Sequence, residues 1–118
     1  MDTVSFITTQ TGDDLILSFA IVDRADAEGI RSLTLLRTPK YEFFMPTTER
    51  GVHVLFEGQS QGYLKSFEFS ELSRMARLTT PRGGRELDFS HVSDQEVQAM
   101  RQVLGLMVEG GHFELRNT

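Results

Sequence analysis

The run Val92-Ser93-Asp94-Gln95-Glu96-Val97 announces a helix. Ser93 is placed to cap the Glu96 amide while the Glu96 carboxylate returns to the Ser93 amide, the reciprocal pattern of a capping box. Val92 and Val97 flank it as a hydrophobic staple. Behind this start, Val97, Met100, Val103, Leu104 and Met107 recur at helical spacing, so one face of a helix over 94–108 must be buried. Gly110-Gly111 then offers the left-handed backbone that closes a helix. Every earlier segment reads as strand. A lone amphipathic helix in such a chain needs a sheet to pack on, which predicts an α+β fold.

The strands follow from alternation and punctuation. Val4–Thr9 is β-rich, and Gly12-Asp13-Asp14 marks a turn. Leu15–Asp23 is nearly continuous apolar sequence and predicts a central strand buried on both faces. Residues 26–29 connect it to Ile30–Arg37, whose imperfect alternation leaves room for a bulge. Pro39 and Pro46 bracket Tyr41–Met45 and confine it to an edge or a loop. Gly51–Phe69 reads as a hairpin, with Gly58–Gly62 as a five-residue loop between its strands. Residues 71–80 fit a short helix or a strand; the strand is preferred because Arg85–Ser90 alternates and pairs with it across Pro81-Arg82-Gly83-Gly84. Phe113 and Leu115 dock a last short strand. The expected architecture is a mostly antiparallel sheet of about six to eight strands with one C-terminal helix packed on it. No linker or repeat divides residues 1–118, so a single domain is expected.

A chain of 118 residues buries roughly 65% of its unfolded surface, enough for a core without staples. Cysteine is absent, which excludes disulfides and thiolate metal sites. The start Met1-Asp2-Thr3-Val4-Ser5 has an acid where a signal peptide needs positive charge, and no apolar run is long enough to span a bilayer. The expectation is a cytoplasmic protein that does not engage a membrane.

Catalytic motifs are missing. There is no Gly-x-Ser-x-Gly elbow, no phosphate-binding glycine loop and no cysteine nucleophile. His53, His91 and His112 have no metal-ligand spacing; they read as a strand residue, a local hydrogen-bonding group before the helix and a neighbour of the helix C-terminus. Asp13-Asp14 and Asp23, Asp26 and Glu28 lack the alternating ligands of a calcium loop. The chain is therefore expected not to be an enzyme and to use no cofactor or metal.

Charge is uneven. Residues 1–30 hold six acids against Arg24 alone, whereas residues 72–85 hold four arginines and no acid. The overall charge of −5 makes a nucleic-acid partner a poor fit and a basic protein a better one. The candidate partner-binding residues are the acids Asp13, Asp14, Asp23, Asp26 and Glu28, with Phe43 and Phe44 as an apolar patch if their loop is exposed. An alternative function is a small-ligand or anionic-ligand binding module, a strand-rich barrel capped by the helix, with Arg74, Arg77, Arg82 and Arg85 lining the site. The ordinary reading of those arginines is cross-strand pairing with Glu68, Glu71, Glu86 or Asp88. A third function is a structural or assembly subunit, dimerising through Tyr41–Met45 and an exposed edge. The chain is expected to be a monomer or a homodimer.

The stretch Gly51-Val52-His53-Val54-Leu55-Phe56-Glu57-Gly58-Gln59-Ser60-Gln61-Gly62-Tyr63 resembles the small immunity proteins of bacterial polymorphic toxin systems, the immunity protein 10-like family. A looser likeness runs over about residues 13–108: an acidic N-terminal strand pair, a Gly-Gln turn, Gly-Tyr, two more strands and a final helix. The chain departs from that pattern at Lys40–Arg50, where an acidic middle segment is expected. The resemblance implies a cytoplasmic inhibitor that binds one cognate toxin, with a basic toxin domain suiting the acidic first quarter. The shared positions are structural, so the resemblance implies no particular contact residue.

Overall fold

The computed structural model describes residues 1–23 and 29–117. The strands are β1 (Asp2–Gln10), β2 (Leu15–Val22), β3 (Ile30–Arg37), β4 (His53–Phe56), β5 (Gln59–Tyr63), β6 (Ser66–Ser70), β7 (Met75–Thr80), β8 (Gly83–Asp88) and β9 (Glu114–Asn117). A one-turn helix α1 (Pro39–Glu42) and a 3-10 turn (Thr47–Glu49) separate β3 from β4, and the main helix α2 (Asp94–Met107) precedes β9. The class is α+β, strand-rich with one main helix. Among the described residues no helix is long and apolar enough to cross a membrane.

The sheet differs from the expectation in strand count and direction. Among the described residues it has nine strands in the order β5-β4-β3-β2-β1-β8-β7-β6-β9, and it is mixed: β1 runs parallel to β8 and β9 parallel to β6. The extra strand comes from residues 58–62. Glu57 and Gly58 alone make the turn, with φ of 52° and 77° and Phe56 paired to Gln59, so Gln59–Tyr63 joins the ladder as β5. Two positive φ values give the primed turn that matches strand twist, and a non-glycine there is strained. Glu57 is held by Ser32, which accepts from its amide at 2.9 Å and donates its own amide to Glu57 Oε1 at 2.7 Å. Residues 63–69 divide at Leu64-Lys65 into β5 and β6. The anticipated bulge is not in β3, whose eight pairs with β2 are regular; irregularities fall between Val4 and Phe6 in β1 and at Val54/Leu55.

The sheet curls. Lys65, between β5 and β6, extends the β6–β7 ladder by donating its amide to the Thr79 carbonyl at 2.8 Å, and β5 comes into contact with β7. Gly62 (φ 87°) approaches Pro81 so closely that a Cβ there would lie 3.1 Å from the ring. Among the described residues β5 and β9 remain edges, so the strands do not close into a barrel. α2 packs on β1 and β2. Its Val97, Met100, Val103, Leu104 and Met107 are buried in one core with Phe19, Phe67, Phe69 and Phe89. Phe19 lies 6.3 Å from Phe67 and 5.7 Å from Phe89 between ring centroids, joining β2 to β6 and to the residue that follows β8.

The Ser93 cap and the Val92–Val97 staple at the helix start are those read from sequence. Ser93 Oγ accepts from the Glu96 amide at 3.2 Å, and Val92 and Val97 are buried. The Glu96 carboxylate reaches further, accepting the Ile7 amide of β1 at 3.0 Å. The cap therefore also fastens α2 to the sheet.

Candidate protein-binding surface

Along β3, Leu33 and Leu35 face the core, and the period of two carries Arg37 inward after them. A buried guanidinium must be paired and hydrogen-bonded. Glu42 supplies the charge: Arg37 Nε and Nη2 donate to Glu42 Oε2 and Oε1, each at 2.8 Å. Nη1 donates to the carbonyls of Met107 at 2.6 Å and Glu109 at 2.5 Å, groups left open by the end of α2. Glu42 Oε2 also accepts the Gly51 amide at 3.2 Å. The hydrogen bond from Arg37 holds the Glu42 carboxyl below its ordinary range against the opposing effect of burial, and the Gly51 amide and the charges of Arg37 and His112 add to it.

This pair sets the direction of the turn beyond it. Pro39 opens α1 with its preset φ, and Glu42 turns inward to Arg37. Consecutive residues of a turn cannot all face the core, so Phe43 and Phe44 project outward at 82% and 80% exposure. Their rings meet edge to face with centroids 5.3 Å apart. Arg50 Nε donates to the Met45 carbonyl at 3.1 Å and ties the end of the turn back. The result is an aromatic knob on a braced stem. Within Tyr41–Met45, Tyr41 and Glu42 belong to the helical turn α1, which forms because Pro39 sits where a helix tolerates it, while Phe43–Met45 is loop as expected.

The acidic candidates divide. Asp13 and Asp14 lie beside the knob: Lys40 Nζ is 3.3 Å from Asp13 Oδ2, and Thr38 Oγ1 donates to Asp14 Oδ1 at 2.7 Å. Asp23 lies past the opposite end of the eight-residue β2, about 30 Å from Asp14 along the strand, paired with Arg31 at 3.2 Å. Asp26 and Glu28 fall outside the described residues. Asp13 and Asp14 are therefore tied to the start of α1, the stem of the Phe43–Phe44 turn, and Asp23 is not.

The four arginines do not converge. Arg74, at φ 56°, bonds Asp94 at 2.7 Å and the carbonyls of Phe89 and Val92, bracing the approach to α2. Arg77 pairs with Glu86 across β7 and β8 at 3.2 Å. Arg85 pairs with Asp2 at 2.6 Å and lies over the Phe56 ring at 4.0 Å. Arg82 is exposed at the β7–β8 turn, where it and Arg85 border a crevice of only about 70 Å³. Cross-strand pairing holds for Arg77 and Glu86; Arg74 and Arg85 use Asp94 and Asp2 instead of the acids expected. No three His, Asp or Glu side chains among the described residues are placed to share a metal ion.

Sequence reading passed over Arg37 and Glu42, although the parity of Leu33, Leu35 and Arg37 marks an inward arginine that needs a carboxylate. Gly51–Tyr63, the stretch with the family resemblance, forms the β4–β5 hairpin and its approach. No family model, no curated protein and no solved structure matches the chain.

Proposed function

We propose that the chain is a protein-binding inhibitor of the immunity type, a cytoplasmic protein that neutralises a cognate bacterial toxin by direct binding. The contact surface is the Phe43–Phe44 knob with the Asp13-Asp14 turn beside it. The observation that carries this reading is two adjacent phenylalanines, 82% and 80% exposed, on a turn braced by a buried ion pair. Burying each ring is worth about 1.5–3 kcal/mol, which folding leaves unused and an interface would gain. Rigid aromatic anchors also lose little entropy on binding. Acidic side chains beside them suit a basic partner and speed encounter. The reading has no catalytic step and no cofactor. The immunity-type part of the proposal rests on the likeness of residues 51–63 to immunity proteins. The scattered arginines give no comparable support to an anionic-ligand site.

The test is affinity capture from source cells with the neighbouring reading frames co-expressed, using wild type and F43A/F44A. The expected result is one stoichiometric partner with a basic domain, held by wild type, lost by the variant, and inhibited when the two purified proteins are mixed one to one. Equal capture by both proteins would remove the knob from the interface. If the occupant of the knob is a second copy of the chain, sedimentation shows a wild-type dimer that F43A/F44A dissociates, and the assembly-subunit reading replaces this one.

A further inference from the structure

Beside the knob, the segment from Leu36 to Gly51 stands against β4 and β5 and leaves a groove of about 290 Å³. Tyr41 lines one side and His53 and Tyr63 the other, with Leu36 and Met45 adding apolar surface. The His53 and Tyr63 rings pack at 5.4 Å between centroids, and Ser60 Oγ lies 2.6 Å from His53 Nε2, so that wall is fixed. Aromatic faces carry negative potential and attract cations.

The charges lining the groove point the same way. Arg37 and Glu42 neutralise each other at its base. Glu49 is exposed and makes no ion pair or side-chain hydrogen bond among the described residues. Of the cations nearby, Lys40 is paired with Asp13 and lies 5.6 Å from the centre of the Tyr41 ring, whereas Arg50 donates to the Met45 carbonyl, keeps its charge and does not line the groove. Among the lining residues, the charge left without an ion pair is that of Glu49.

We infer that this groove is the subsite for an arginine side chain of the partner. The inference rests on the protein-binding reading above and names the chemistry of the partner at that site. The alkyl stem packs on Leu36 and Met45, the guanidinium plane stacks on a tyrosine face, and Glu49 takes its charge. Arginine suits this better than lysine because its planar head both stacks and pairs with a carboxylate. A basic loop entering the groove also carries its neighbours onto Phe43 and Phe44.

The test is an NMR titration of the 15N-labelled full chain with Nα-acetylarginine methylamide, against the citrulline analogue, which has nearly the same shape and no charge. Saturable shifts are expected at residues 36–53 and at Tyr63, with binding about fivefold weaker for citrulline and for the variants E49Q and Y41A. Glu49 and Tyr41 are exposed, so neither change should alter the thermal unfolding midpoint. Absence of saturable shifts, or equal response to arginine and citrulline, overturns the assignment. If capture still depends on Phe43 and Phe44 in that case, the groove assignment falls and the knob reading stands. If arginine binds while F43A/F44A leaves capture intact, the reverse holds.

Discussion

Arg37 and Glu42, five residues apart on either side of Pro39, are joined by two parallel 2.8 Å hydrogen bonds, and the same guanidinium bonds the open carbonyls at the end of α2. One buried side chain thus links β3, the stem of the aromatic knob and the main helix.

Removing one member of a buried pair strands the other charge. Arg37→Ala and Glu42→Gln should each cost about 3–5 kcal/mol in urea unfolding. The double variant R37M/E42L should be less destabilised than either single variant, because no charge is left uncompensated. A sum of the two single losses in the double variant would mean that the residues act separately.

Acid should unfasten the molecule at two places. Arg37 lowers the pKa of Glu42 chiefly through its hydrogen bond, and the Ile7 amide does the same for Glu96. A carboxyl depressed in the folded state stabilises fully above its unfolded value, near 4.5 for both, and loses that contribution as pH falls through the lower folded value. The urea midpoint should therefore hold from neutral pH down to about 5 and drop below 4.5. Glu96→Gln should flatten part of that drop. An unchanged slope would remove Glu96 from the transition.

At the helix start, Ser93→Ala should cost about 1 kcal/mol through loss of the cap. Glu96→Ala should cost about 1–3 kcal/mol by leaving the Ile7 amide without its acceptor. Ser93 Oγ also bonds Glu96 Oε2 at 3.0 Å, so the two losses should not add. Chemical denaturation of the two single variants and the double variant checks both costs and their coupling.

The helix was legible because its cap, staple and apolar stripe are local: Ser93, Val97 and Met107 lie within one element. β7 was legible because its partner β8 comes directly after it. The parallel pairings of β1 with β8 and β6 with β9 join residues far apart in sequence, and no local spacing encodes them. β5 was hidden by Gly58 and Gly62, which read as loop ends until Glu57 is seen to adopt a positive φ beside Ser32. At the site, Phe43 and Phe44 stood out by composition alone. The separation of Asp23 from Asp13 and Asp14 arises from β2 running straight between them, a matter of direction that charge counting does not see.

That separation has a kinetic consequence. Asp13→Lys should slow association with a basic partner several-fold at low salt, with the difference fading as salt screens it. Asp23→Lys, at the far end of β2, should leave the association rate nearly unchanged. Stopped-flow association at two salt concentrations compares them; equal slowing by both would place the partner over the wrong end of the sheet.

Phe43 and Phe44 are proposed above all as the anchors of a protein partner. The most direct measurement of that role is the dissociation constant of the purified complex for wild type and F43A/F44A, with circular dichroism and the unfolding midpoint recorded alongside. Both rings are exposed, so folding should be unchanged, while the loss of about 3–6 kcal/mol of ring burial should weaken binding by about 10²–10⁴-fold. A folded double variant that binds within about threefold of wild type would contradict the account.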